Sequence, residues 1–149
     1  MPAGGSTDRT ADFDVGSTYS RDAIHAVLGG SKRTCLPTRD GLVVAACLLK
    51  SFNPDAPRVV LCGSGARNGP AGALLAAQTG AIPFFTRVAT GRWLYEGRFV
   101  VADSLTVGAT FDRLVARSTR ARDDVSRVVR LVPATERIAS VASPVELSD

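Results

Sequence analysis

Apolar residues fall at two spacings along this chain, and each spacing predicts its own kind of element. Ile24, Val27 and Leu28 make a helical stripe, with Ser20 placed as N-cap, Asp22 in the positive first turn and Gly29-Gly30 as the stop. A helix is therefore predicted over residues 21–28, with His25, the only histidine, beside the stripe as a surface or boundary residue. Asp40-Gly41 is a strong turn signal between two apolar segments and predicts a β-hairpin. Its second arm, Leu42 to Leu49, is apolar on both faces, which predicts a central strand with cover on each side.

Arg58-Val59-Val60-Leu61-Cys62 is short, β-branched and bounded by Pro57 and Gly63, so it predicts a buried strand. Pro70 suits the first turn of a helix, and Ala71 to Gln78 are strong helix formers that Gly80 ends. Ala81 to Val88 reads as another strand, turned at Ala89-Thr90-Gly91 into a meander of Arg92–Tyr95 and Arg98–Ala102 around Glu96-Gly97. The period of two puts Trp93 and Tyr95 on one face and Arg92 and Leu94 on the other. Thr110 to Arg117 predicts a helix. Ser126 to Val132 predicts a last strand, placed at an edge by its arginines, where a second copy has a surface for pairing into a homodimer.

These elements sum to an α+β fold: one domain, with a central, mostly antiparallel, curled sheet of five to seven strands and helices near 21–28, 70–79 and 110–118. Residues 1–17, rich in Gly, Ser, Thr and Asp, read as a disordered leader, residues 18–132 as the domain, and residues 133–149 as a loose tail. A length of 149 residues suits one core and is too short for two. No apolar run reaches membrane-spanning length and the N-terminus lacks an apolar export signal, so a cytoplasmic, nucleoid-associated protein is expected. The three cysteines, Cys35, Cys47 and Cys62, have no CxxC spacing and one histidine for company. They predict packed free thiols in strands, with no metal site and no cofactor.

Charge changes the picture. The net charge is +4, and ten Lys or Arg stand against four acids between Arg21 and Arg98. Sixteen of the eighteen basic residues are arginine, the side chain that grips phosphate and guanine with paired bonds. A basic middle with acidic flanks points to a polyanion, nucleic acid first.

Three stretches hold candidate chemistry. The strand–glycine turn–helix at Gly63 to Ala71 aims free N–H groups at an anion, but has neither GxGxxG nor GxxxxGK[ST] spacing. Ser64, Arg67 and Asn68 in that turn suit a phosphodiester as well as a mononucleotide. Lys32, Arg33 and Thr34 form a basic cluster next to the double glycine. In the meander, aromatic residues are interleaved with arginines, as a stacking-plus-phosphate surface requires and as an ordinary sheet core with a charged face also displays. On the first reading, Phe85, Trp93 and Tyr95 stack on a base or touch a methyl, while Lys32, Arg33, Arg67, Arg87 and Arg92 bind phosphate or guanine. No carboxylate pair and no Ser/His/Asp set is visible, so the expectation is a protein without catalysis.

The ordered string Tyr19-Ser20-Arg21, Ile24-His25, Leu28-Gly29-Gly30, Leu36-Pro37, Asp40 to Ala45, Asn53 to Pro57, Gly63-Ser64-Gly65, Gln78, Ile82 to Phe85 and Trp93 to Gly97 resembles a bacterial domain found at the front of HNH nucleases. Such enzymes are similar to modification-dependent restriction systems, in which a reader domain finds methylated DNA. The resemblance runs from about Tyr19 to Asp103, and its matches are mostly glycines, prolines and apolar positions. It departs in lacking any histidine-rich nuclease centre. What it implies is a stand-alone reader of double-stranded DNA carrying 5-methylcytosine, through groove contacts or through an extruded base. Two other classes stay open on the residues: an enzyme binding a nucleotide or phosphate at the Gly63–Ala71 turn, and a protein-interaction module.

Overall fold

The computed structural model describes residues 13–65 and 68–134. In chain order the elements are β1 (Thr18–Tyr19), α1 (Arg21–Leu28), β2 (Thr38–Arg39), β3 (Leu42–Val43), β4 (Ala46–Leu48), β5 (Val59–Gly63), α2 (Asn68–Ala77), β6 (Ile82–Ala89), β7 (Arg92–Leu105), α3 (Ala109–Ala116) and β8 (Val125–Pro133), the last preceded by a 3-10 turn at Arg122–Asp124. The main sheet runs β4-β6-β7-β8-β5, with β1 added beside β7, and β2-β3 forms a separate ribbon. Every pairing in the main sheet is antiparallel except that of β4 with β6. The expected α+β class is what the chain adopts, with a mostly antiparallel sheet and three helices among the described residues.

Both faces of the sheet are covered. Phe84 and Phe85, adjacent on β6 and each 0% exposed, face opposite ways into different clusters. On one face α2 packs Leu75 against Val60, Phe84, Val129 and Leu131. On the other, α1 seals one end with Ile24 and Leu28 over Cys47, Phe85 and Tyr95, and α3 seals the other end with Phe111 and Val115 over Leu61 and Val128. Between α1 and α3 that second face is left with a gap.

Several expectations change. The segment 42–49 is not one central strand: Leu42–Val43 belongs to the small ribbon, and Ala46–Leu48 is an edge of the main sheet. Leu42 is exposed, but Ala46, Cys47 and Leu48 are buried even at the edge, because the preceding loop covers it, with the Cys47 N–H donating to the Cys35 carbonyl at 2.8 Å. The last strand is not an edge; β8 lies between β7 and β5. Its arginines need no solvent edge because neighbours answer them, Arg130 by the Asp103 carboxylate and Arg127 by the Ser104 hydroxyl. Glu96-Gly97 is no turn: β7 is continuous over 14 residues, and the ladder slips at Glu96, whose carboxylate accepts the buried Thr86 hydroxyl at 2.6 Å. Residues 1–12 of the expected leader, and most of the expected tail, lie outside the described residues. Phe13 does not read as leader at all, being 6% exposed and edge-on to Tyr19 and Phe85. Cys35 sits in a loop and is exposed, whereas Cys47 and Cys62 are buried in strands, their thiols pushed up to about 12 by burial. No helix among the described residues is long and apolar enough to cross a membrane.

The two edge strands, β4 and β5, do not pair, but Cys47 of one and Gly63 of the other line a common pocket. On β5, the Leu61 backbone turns its free groups outward, where a further strand would pair. Side chains take that strand's place: Leu61 N–H donates to Asn53 Oδ1 at 2.8 Å, and Arg120 Nη1 donates to the Leu61 carbonyl at 2.6 Å. Satisfying an edge with side chains leaves it both paired and unavailable to another chain.

Candidate functional site

A pocket of about 480 Å³ lies where the gap between α1 and α3 meets the two sheet edges. Five cationic side chains line it: Arg21 from α1, Lys32 and Arg33 from the loop after α1, Arg87 from β6 and Arg120 from the loop after α3. Trp93 and Phe52 contribute rings, Cys35, Cys47 and Leu49 an apolar wall, and Asn53 an amide. No acidic side chain lines it among the described residues. Such a volume is within the roughly 300–1,000 Å³ usual for small-ligand sites.

Each wall has a local cause. The Ser20 hydroxyl caps α1 by accepting from the Ala23 N–H at 3.0 Å, which fixes Arg21 in the first turn. From there Arg21 Nη2 donates to the carbonyls of Ser31 and Thr34, at 2.8 and 2.9 Å, and the guanidinium carbon lies 5.3 Å from the Trp93 ring centroid. Arg21 thus ties the Lys32-Arg33 loop to β7. Its Nε is buried without an acceptor among the described residues. His25 secures the start of the same loop, with Nδ1 2.6 Å from the Gly30 carbonyl oxygen. On the far side Arg120 lies 5.7 Å from the Phe52 ring centroid, and Phe52 is 48% exposed. Cys47 is a neutral thiol at pH 7, since burial raises it so far, and it acts as a small hydrophobe.

Of the residues singled out by sequence, Lys32, Arg33, Arg87 and Trp93 come together here. Lys32 also pairs with Asp22 at 3.1 Å in an exposed contact, and Arg87 Nη2 donates to the Thr90 hydroxyl at 3.1 Å. Thr34 lies next door, lining a smaller cavity of about 110 Å³ with Ser31 and Thr38. Ser64 is turned to the 122–124 segment, where its hydroxyl donates to the Asp123 carbonyl at 3.2 Å. Arg67 falls outside the described residues; Asn68 opens α2, and its side chain falls outside them too. Arg92 is exposed at the β6–β7 hairpin opposite Ala89, away from the pocket lining. Phe85 and Tyr95 are corrected outright. At 0% and 4% exposure they are sealed between α1 and the sheet with Phe13, and offer no face to a base. Buried rings of a two-sided sheet explain the aromatic run.

Beside the apolar wall, four cationic, aromatic or amide contributors went unnoticed in the sequence: Arg21, Phe52, Asn53 and Arg120. Arg21 reads as part of a capped helix, and its i+10 and i+13 bonds are not local. Arg120 lies in a stretch of mixed charge and its guanidinium binds backbone carbonyls, those of Leu61 and Asp124.

No family model and no curated protein matches the chain. Among solved structures it is similar to the type IV phosphorothioation-dependent restriction endonuclease ScoMcrA, with 23% identity, 85% of this chain and 29% of that chain covered, and a TM-score of 0.48. The chain spans less than a third of that endonuclease's length.

Proposed function

We propose that this protein is a non-catalytic reader of double-stranded DNA that recognises 5-methylcytosine, with the pocket between α1 and α3 receiving the modified base. The observation that carries the reading is the meeting of five cations, two rings and an apolar wall with no carboxylate in the lining among the described residues. Cations around a rim neutralise backbone phosphates, and their yield is sequence-independent affinity that falls with salt. Rings and an apolar wall suit a base and its methyl. A pocket rather than a flat sheet favours an extruded base over groove contacts. Burying one methyl contributes under about 1 kcal/mol by area, so discrimination rests on shape: the wall of Cys35, Cys47 and Leu49 must fit the methyl closely.

The test is fluorescence anisotropy with matched duplexes that differ by one 5-methylcytosine, run between 50 and 200 mM salt. Tighter retention of the methylated duplex, with a preference that persists as salt rises, is the expected result. No binding to any duplex at low salt would remove the DNA assignment. Equal retention of both would remove only its base-modification half.

A further inference from the structure

Every polar side chain lining the pocket, thiols apart, is a hydrogen-bond donor: the guanidinium groups, Lys32, the Trp93 indole and the Asn53 amide nitrogen. Among these, Asn53 differs in being buried, at 5% exposure. Its orientation is not free. Oδ1 accepts the Leu61 N–H at 2.8 Å, which leaves the NH2 end to face elsewhere, and that end makes a single long contact with the Leu49 carbonyl at 3.4 Å. An amide nitrogen carries two hydrogens, so at least one donor is left for a ligand.

We propose that Asn53 is the specificity-determining residue of this pocket, its amide donating to a ring acceptor on the edge of the bound pyrimidine. The proposal rests on the reading of the pocket as a DNA-base site. The acceptor that tells cytosine from thymine is the ring N3, since both bases carry an O2 acceptor. Thymine carries the same 5-methyl group, but its N3 bears a hydrogen and meets a donor with a donor. The methyl is thus read by the apolar wall, and the identity of the base under it by Asn53. A site built to bond one edge rejects the wrong edge strongly, because buried polar groups are left unpaired.

The experiment compares wild type with Asn53→Asp, which keeps the oxygen that Leu61 needs and replaces the donor by an acceptor. Each protein is titrated with a duplex holding one 5-methylcytosine·G pair and with the same duplex holding thymine·G there. The easier opening of the mismatch is common to both proteins and cancels when the ratio of affinities is compared between them. That ratio is expected to fall by about tenfold or more in the variant. If Asn53→Asp does not fold, Asn53→Ser, which retains an oxygen for Leu61 without the NH2, is expected to lose the same preference. A ratio left unchanged by folded variants, or an equal loss for both duplexes, overturns the assignment of Asn53 alone. Absence of binding by wild type to either duplex overturns the site and Asn53 together.

Discussion

The Arg21 guanidinium lies 5.3 Å from the centroid of the Trp93 ring while holding two carbonyls of the loop that carries Lys32 and Arg33. One side chain therefore fixes a ring wall and a cationic rim in a single geometry. With Arg21 over Trp93, the ring with surface to spare is Phe52.

Phe52→Ala is accordingly expected to weaken duplex binding about 5- to 150-fold, the range for loss of one base-stacking ring. Val107→Ser, at an exposed apolar residue away from the pocket, should leave binding unchanged. Anisotropy titrations of both variants check the contrast.

Lys32→Ala, Arg33→Ala and Arg87→Ala should each flatten the slope of log affinity against log salt by roughly one. Arg117→Ala is the comparison: its guanidinium is held by both Asp55 carboxylate oxygens, outside the pocket lining, and the slope should stay as in wild type. A salt series on the four variants measures this.

Phe85→Ala is expected to cost about 3–5 kcal/mol of folding stability, as for a large ring removed from a packed core. Urea denaturation reads the loss. Were Phe85 a base contact instead, stability would hold and binding alone would fall.

Two carboxylates set an acid limit. Arg117 holds Asp55, and Arg130 holds Asp103, below the ordinary range, chiefly through side-chain hydrogen bonds. A value lowered by folding stabilises the protein fully above the unfolded value, about 3.9, and the stabilisation disappears as pH falls through the folded one. Stability should therefore drop below about pH 4. Asp55→Asn and Asp103→Asn should each lower the urea midpoint at pH 6 and lose less of it on going to pH 3.

Gly72 sits where α2 crosses β5, and a Cβ placed there would lie 2.7 Å from the Cys62 Cβ. Gly72→Ala is expected to destabilise the fold by about 1–3 kcal/mol through overpacking, measured by thermal melting.

Local signals made much of the fold legible. The Ser20 cap, the Asp40-Gly41 turn, the β-branched run before Gly63 and the hairpin at Thr90-Gly91 all act within a few residues, and each lies where its chemistry puts it. Strand order is not local. Whether the arginine-bearing β8 lies inside the sheet depends on Asp103 and Ser104, more than twenty residues away. The site divides the same way. Lys32, Arg33, Arg87 and Trp93 announce themselves by type. Asn53 and Arg120 matter because the fold brings their loops to Leu61, which no spacing reveals.

The seam between the two sheet edges has a mechanical consequence. A closed barrel widens only by tearing a ladder of backbone bonds, whereas here the outward groups of Leu61 on the β5 edge are met by one amide and one guanidinium. Parting the β5 edge from the segments that cover it at Leu61 would break those two links, while the β5–β8 ladder on the other side of the strand stays intact.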